Sequence, residues 1–484
     1  MSPLDQSRRR VLAAAAGAVT TTLAGCASTD ATTTETTDAA TETRTDAPTT
    51  DAPTTDAPST TESTTEEGAA PTDAERVALA KTVTGELAAG DFQAVHDRLT
   101  EAAASQLSVE GLAQAWATYG DPLGAYRGAT VERTGETRGQ PFVVLRATFE
   151  RGLLRVVTVF DGERLSGLRI QPVQQSYEPP AYVDTDAFVE RERTLPSPAC
   201  DLGATLSLPS TAADGAETAP GVVLVHGSGP ADRNASYGPN RPFQDLAWGL
   251  ASRGVAVLRY DKRTHACDVS RADGLDLDAL TVDDAVTGVA TLRDEDAVGP
   301  VAVVGHSQGG LAAPRIAARA ETDGMASLAG PAGSLAPLVE LQVRYLANVD
   351  DEVTDAEREQ IEQVAAAVDR IQAGDLGDDE VVLGFHATFW RQVRAYDQTA
   401  VAADLDVPRF LAFGGRDYQV PADRARSAWA AALGDASNVT LRTYEDANHL
   451  FVPGEGASTP GEYLQRGNVV ESLVTDLADW ARAL

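Results

Sequence analysis

Lysine is nearly missing from this chain: of 39 basic residues only Lys81 and Lys262 are lysines, and the rest are arginine. Positive charge is short altogether, because 72 Asp and Glu leave a formal net charge of -33. A surface so rich in carboxylate repels polyanions, which excludes nucleic acid as a partner. It also resembles the composition of proteins adapted to molar salt, where the Debye length shrinks to about 3 Å and like charges repel less. Cysteine is scarce, with three residues, and no spacing among them and the six histidines has the form of a zinc site. No metal or cofactor is expected. The apolar run over residues 11–25 is too short to span a bilayer as a mature helix.

What that run does have is order. Ser7-Arg8-Arg9-Arg10-Val11-Leu12 opens a twin-arginine pattern, and Leu23-Ala24-Gly25-Cys26 closes the apolar stretch with a sequence resembling a lipobox. Residues 1–26 therefore read as a signal peptide that ends in lipidation of Cys26, predicting export and a lipid anchor on the outer face of the cell membrane. Membrane contact is expected through that anchor only. Outside the cell Cys200 and Cys267 meet an oxidising compartment, and the sequence leaves a disulfide between them and two separate thiols equally open.

Residues 27–72 are dominated by Thr, Ala, Asp and Glu, with a Pro-punctuated repeat beginning Asp46-Ala47-Pro48-Thr49-Thr50. They contain too little apolar surface to fold and predict a disordered linker. Over residues 73–178 a smaller α+β domain is expected. Its helical spacing at Ala74–Ala88 and 91–99 gives way to period-two strands at 142–149, 153–160 and 165–170.

From residue 181 to 484, short apolar runs alternate with helical stretches. Val222–Val225, Val255–Tyr260, Val301–Val304 and Arg409–Phe413 read as strands buried on both faces. Helices near 242–252, 281–293 and 309–320 lie between them, which predicts an α/β domain with a mainly parallel sheet. Residues 335–403 interrupt the alternation as a helical cap insertion. Within it Thr354-Asp355-Ala356-Glu357 has the form of a capping box and Gly374 that of a helix stop. Phe389, Trp390 and Tyr396 are candidates either to line a pocket or to form the cap's own core.

Chemistry concentrates where a strand runs into Gly305-His306-Ser307-Gln308-Gly309-Gly310 and then into a helix. This is a nucleophile elbow, in which Gly305 and Gly309 leave room for a sharp turn that lifts Ser307 above the sheet edge. Serine needs a base, and the base needs a carboxylate. Asp417 follows the strand ending at Phe413, and His449 follows the next strand. The chain order Ser307, Asp417, His449 is the hydrolase order. His226-Gly227-Ser228-Gly229-Pro230 follows an earlier strand, so the backbone N–H groups of Ser228 and Gln308 are the candidate oxyanion donors.

These runs, with Asp232-Arg233, Arg259-Tyr260-Asp261-Lys262-Arg263 and Asn448-His449-Leu450-Phe451, resemble the α/β hydrolases of the dienelactone-hydrolase and S9/S33-peptidase-like group. The resemblance implies a serine hydrolase acting on a small-molecule ester or short peptide, with ester cleavage through an acyl-enzyme as the main reading. A peptidase is the alternative, and a non-catalytic surface binding protein is a third. Asp232-Arg233 and Asp261-Lys262-Arg263 are expected to be ion pairs bracing the loops. The 73–178 domain resembles small cystatin-like or nuclear-transport-factor-like domains and is expected to bind, space or dimerise. Protein partners are not indicated.

Overall fold

The computed structural model describes residues 71–484 apart from 121–122, 150–151, 174–175, 350–352 and 435. The twin-arginine run, Cys26 and nearly all of the linker lie outside the described residues.

The first domain begins where the acidic linker meets a helix signal. Thr72 caps helix α1 (Asp73–Ala89) in a capping box with Glu75, and Gly90 ends it at φ 76°. A second long helix, α2 (Val109–Tyr119), is capped by Ser108. Strands β1 (Tyr126–Thr137), β2 (Gln140–Phe149), β3 (Leu153–Asp161) and β4 (Arg164–Pro172) form an antiparallel meander in that order. The helices cover one face, burying Leu87, Val95, Trp116, Leu145, Val156 and Phe160. Strand β1 was not expected, because it is an edge strand whose residues are mostly exposed and so carry no apolar alternation.

The larger domain is an eight-stranded sheet. Its strands are β5 (Phe188–Leu195), β6 (Leu202–Pro209), β7 (Ala219–Val225), β8 (Ala256–Tyr260), β9 (Val298–His306) and β10 (Gly324–Leu328). After the small hairpin β11 (Val381–Val382) and β12 (Phe385–His386), β13 (Arg409–Gly414) and β14 (Val439–Tyr444) complete it. The spatial order is β14-β13-β10-β9-β7-β8-β6-β5. All neighbours pair parallel except that β6 runs antiparallel to both β5 and β8.

Side chains of alternate parity enter different layers, since strand residues alternate faces. Val222, Leu224, Ala302 and Val304 meet helices α3 (Pro242–Ala251) and, at the far end of the chain, Glu471–Arg482. Val223, Val225, Val301 and Val303 meet the opposite layer, which includes helices α4 (Asp283–Arg293) and α5 (Gln308–Ala320). Burial on both faces explains why these strands read as unbroken apolar runs.

Between β10 and β13 stand α6 (Leu335–Ala347), α7 (Asp355–Ala373), α8 (Ala387–Ala395) and α9 (Gln398–Ala403). Helix α7 is opened by the Thr354/Glu357 capping box and closed by Gly374 at φ 77°, with Ile361, Val364, Val368 and Ile371 buried, as their spacing predicts. Phe389 stacks on Phe385 with centroids 4.2 Å apart, and Trp390 donates to the Val382 carbonyl at 2.8 Å. Both are fully buried and belong to the core of this segment rather than to a pocket wall.

Candidate active site

Strand β7 sits at the point where the winding of the sheet reverses: β8 is added on one side of it and β9 on the other. The carboxyl ends of β7 and β9 flank that switch point, the usual place for a site in such a sheet. They lead into the loop of Gly227 and Ser228 and the turn of Ser307.

The turn is tight because glycine makes it so. A Cβ on Gly305 would lie 2.1 Å from the Gly309 carbonyl oxygen, and one on Gly309 would lie 2.3 Å from the Val225 carbonyl oxygen. Gly309 thus lets the start of α5 press against the end of β7. Ser307 occupies φ 53° and ψ -116°, a left-handed conformation that costs a residue with a Cβ about 1–3 kcal/mol. Its amide donates to the Leu328 carbonyl at 2.9 Å, which pins the turn to β10.

Asp417 and His449 come from the ends of β13 and β14. Asp417 Oδ1 accepts the amides of Gln419 and Val420 at 2.8 and 2.9 Å, leaving Oδ2 to accept His449 Nδ1 at 2.7 Å. Both side chains are buried, at 0% and 5% exposure, so this contact is not diluted by water. Gly414 and Gly415 allow the two loops to meet, since a Cβ on either would strike backbone of residues 445–448 at about 2.5 Å. Asn448 holds the histidine loop by accepting the amides of Leu450 and Val452 at 3.0 and 3.2 Å.

Sequence reasoning passed over His306. Its Nε2 donates to the carbonyl of His449 at 2.8 Å, tying the neighbour of Ser307 to the backbone of the third residue. Burial, aided by the adjacent His449 and opposed by that hydrogen bond, pushes the His306 imidazole down to about 3, so it stays neutral. The only signal was its place beside the serine. His226 likewise donates Nε2 to the Tyr260 carbonyl at 2.7 Å and stacks on Phe243, and burial pushes it down to about 4. It anchors the loop.

The structure thus gathers Ser307, Asp417, His449, Ser228 and Gln308 at one edge of the sheet. The Ser307 hydroxyl itself has no hydrogen bond among the described residues, and neither do the amides of Ser228 and Gln308. Cys200 and Cys267 are joined in a disulfide, with Cα atoms 5.7 Å apart. Of the residues expected to pair, Arg233 and Asp261 are joined bidentately at 2.8 Å, and Arg263 is joined bidentately to Asp284, which was not among them, at 2.6 Å. Asp232 instead caps a turn through Ser236. Lys262 corrects the expectation: it makes no ion pair among the described residues and reaches a carbonyl. No group of His, Cys, Asp and Glu among the described residues is arranged to hold a metal ion. None of their helices is long and apolar enough to cross a membrane.

Comparison with known proteins separates the two domains. Residues 222–465 match the alpha/beta hydrolase family, and residues 80–165 match a domain described as a protein of unknown function, DUF3887. Esterase EstD of Thermotoga maritima is 32% identical over 397 residues, covering 81% of this chain and 92% of that protein. Among solved structures, ferulic-acid-bound Est1E from Butyrivibrio proteoclasticus is 17% identical with a TM-score of 0.40, covering 60% of this chain and 100% of its own. The esterase of Pyrobaculum calidifontis is 16% identical with a TM-score of 0.40, covering 61% and 85%. Likeness at that level carries no argument about chemistry.

Proposed function

Because this chain belongs to the alpha/beta hydrolase family, we propose that it is a serine carboxylesterase in which Ser307 is the nucleophile, His449 the base and Asp417 the residue that orients the base. The observation that carries the reading is the buried His449–Asp417 pair at 2.7 Å, on the same sheet edge as a serine held at φ 53°. A carboxylate on Nδ1 keeps the proton there and leaves Nε2 as an acceptor. His449 Nε2 takes the Ser307 proton as Oγ bonds to the ester carbonyl carbon. The negative charge moves to the carbonyl oxygen, where the free amides of Ser228 and Gln308 receive it. Collapse expels the alcohol with the proton from His449, and water repeats the sequence on the acyl-enzyme.

The ester as substrate class is supported by the relation to a curated esterase. Turnover of a short-chain aryl ester and of an aminoacyl amide, each by the parent and by Ser307→Ala, tests the proposal. Ester cleavage lost in the variant, together with fluorophosphonate labelling of Ser307 in the parent, is the expected result. An equally active Ser307→Ala would refute it, and cleavage of the amide alone would turn the reading to a peptidase.

We further propose that the chain is exported by the twin-arginine route and held by lipid on Cys26 at the outer face of the membrane. The Cys200–Cys267 disulfide supports an oxidising destination. Loss of membrane association in Cys26→Ser, and cytoplasmic retention when Arg8 and Arg9 become lysine, are the expected outcomes. The carboxylate excess supports function at high salt, which a comparison of activity in dilute and molar KCl measures.

A further inference from the structure

Lys262 follows β8, yet its side chain leaves its own segment. Nζ donates to the carbonyl oxygen of Gly227 at 2.6 Å, and the whole residue is buried, at 3% exposure. Its sequence neighbours are occupied with partners of opposite charge: Asp261 is clasped by Arg233, and Arg263 by Asp284. The ammonium is left with a backbone oxygen. Burial, reinforced by the nearby Arg271 and opposed by Asp284, pushes Lys262 down to about 7.

The oxygen it holds belongs to the peptide joining Gly227 to Ser228. That peptide is trans, so the Gly227 carbonyl and the Ser228 N–H point in opposite directions from one plane. Fixing the carbonyl on the Lys262 side aims the N–H away from it. Gly227 packs directly on the nucleophile, as a Cβ there would lie 3.1 Å from Ser307 Cβ, and the Ser228 amide has no other acceptor among the described residues. The same segment holds the loop at further points: the Lys262 amide donates to the Ala231 carbonyl at 3.0 Å, and Thr264 Oγ1 to the Gly229 carbonyl at 3.4 Å.

We propose, resting on the esterase reading, that Lys262 is a positioning residue of the oxyanion site: its ammonium orients the Gly227–Ser228 peptide and polarises it, so that the Ser228 N–H meets the charge developing on the substrate. A hydrogen bond donated to the carbonyl oxygen, stronger when the amine is charged, draws electron density through the amide and makes the N–H a stronger donor. The residue type agrees with that role. In a chain whose other basic residues are arginine save Lys81, this buried position has a compact ammonium, which can place one donor on one oxygen where a planar guanidinium fork would demand more room and more acceptors.

The test compares full-chain Lys262→Met, similar in length and without a donor, and Lys262→Gln, which keeps a neutral donor, with the parent and Ser307→Ala. Because the amide contributes only at the transition state, Lys262→Met is expected to lower kcat about 10- to 100-fold, a part of the loss from removing an oxyanion donor, with KM held within about twofold. A boronic acid that bonds Ser307 as a tetrahedral adduct should lose affinity by a similar factor, and Lys262→Gln should fall between parent and methionine variant. Unchanged kcat in Lys262→Met, beside an inactive Ser307→Ala, overturns the role of the lysine alone. A loss shared by both variants and traced by thermal melting to the unfolded fraction, with boronate affinity intact in the folded remainder, overturns it too. Ester turnover unaffected in Ser307→Ala overturns the esterase reading itself and this one with it.

Discussion

Replacing Asp417 by asparagine perturbs one proton and almost nothing else. Asp417 Oδ1 accepts two amides, from Gln419 and Val420, while Oδ2 accepts His449 Nδ1. An asparagine in the same place must put its oxygen where the two N–H groups are, since turning the amide the other way would set donors against donors. Its NH2 then faces His449 Nδ1, which can answer only as an acceptor. The imidazole proton is forced onto Nε2, the atom that has to accept the serine proton. Size, neutral hydrogen bonding and burial are retained, so the fold should survive. The loss expected for a base in the wrong tautomer is about 10⁴-fold in kcat, or about 5.5 kcal/mol at 1.36 kcal/mol per decade. The assay is kcat for a short-chain aryl ester, with near-ultraviolet circular dichroism and a thermal melt to verify the fold. Activity of a folded Asp417→Asn within tenfold of the parent would refute both the tautomer argument and the assignment of Asp417.

Three further outcomes follow from contacts away from that proton. Gly309→Ala places a Cβ 2.3 Å from the Val225 carbonyl oxygen and 2.7 Å from that of His226, both backbone, so esterase activity should vanish and the melting temperature fall. Cys200→Ser with Cys267→Ser opens a loop with a sequence separation of 67; the chain-entropy relation gives a stability loss of about 4 kcal/mol, measurable by denaturant unfolding. Asp245 is buried beneath the Tyr177 hydroxyl and the Val469 amide, and desolvation outweighs those hydrogen bonds and raises its carboxyl from 3.8 to about 6. The folded state then binds the proton more tightly than the unfolded state, so this residue's contribution to stability declines as pH rises from about 4 to about 6. Over that window the melting temperature of Asp245→Asn should gain on that of the parent, and a constant difference would contradict the assigned shift.

Much of the site was legible because its signals are local. A strand, a glycine-flanked serine and a helix stand within about twenty residues, and the order of the acid and base follows from which strand each one trails. The helix ends at Thr354 and Gly374 were legible for the same reason, as both are decided by backbone groups within a single turn. The polar edge strand Tyr126–Thr137 was not, since a strand exposed along most of its length needs no apolar alternation. Asp261-Lys262-Arg263 was misread in its middle residue: charge alternation in sequence suggested ion pairs, and two of the three residues form them, but the fold leaves Lys262 with only the carbonyl of Gly227.

By itself, the sequence singled out Ser307, Asp417 and His449 as the residues on which the proposed chemistry rests, because residue type and the strand before each one are properties of short segments. It also determined that a parallel sheet would carry them, since only burial on both faces requires unbroken apolar strands. Tertiary structure decided which segments touch. It joined Cys200 to Cys267, set His306 under the backbone of His449 across 143 residues, and brought Lys262 to Gly227 across 35. Those contacts depend on β7 lying between β8 and β9. A strand's own residues state that it is buried but not beside which neighbour, and that order is settled only when the whole sheet packs.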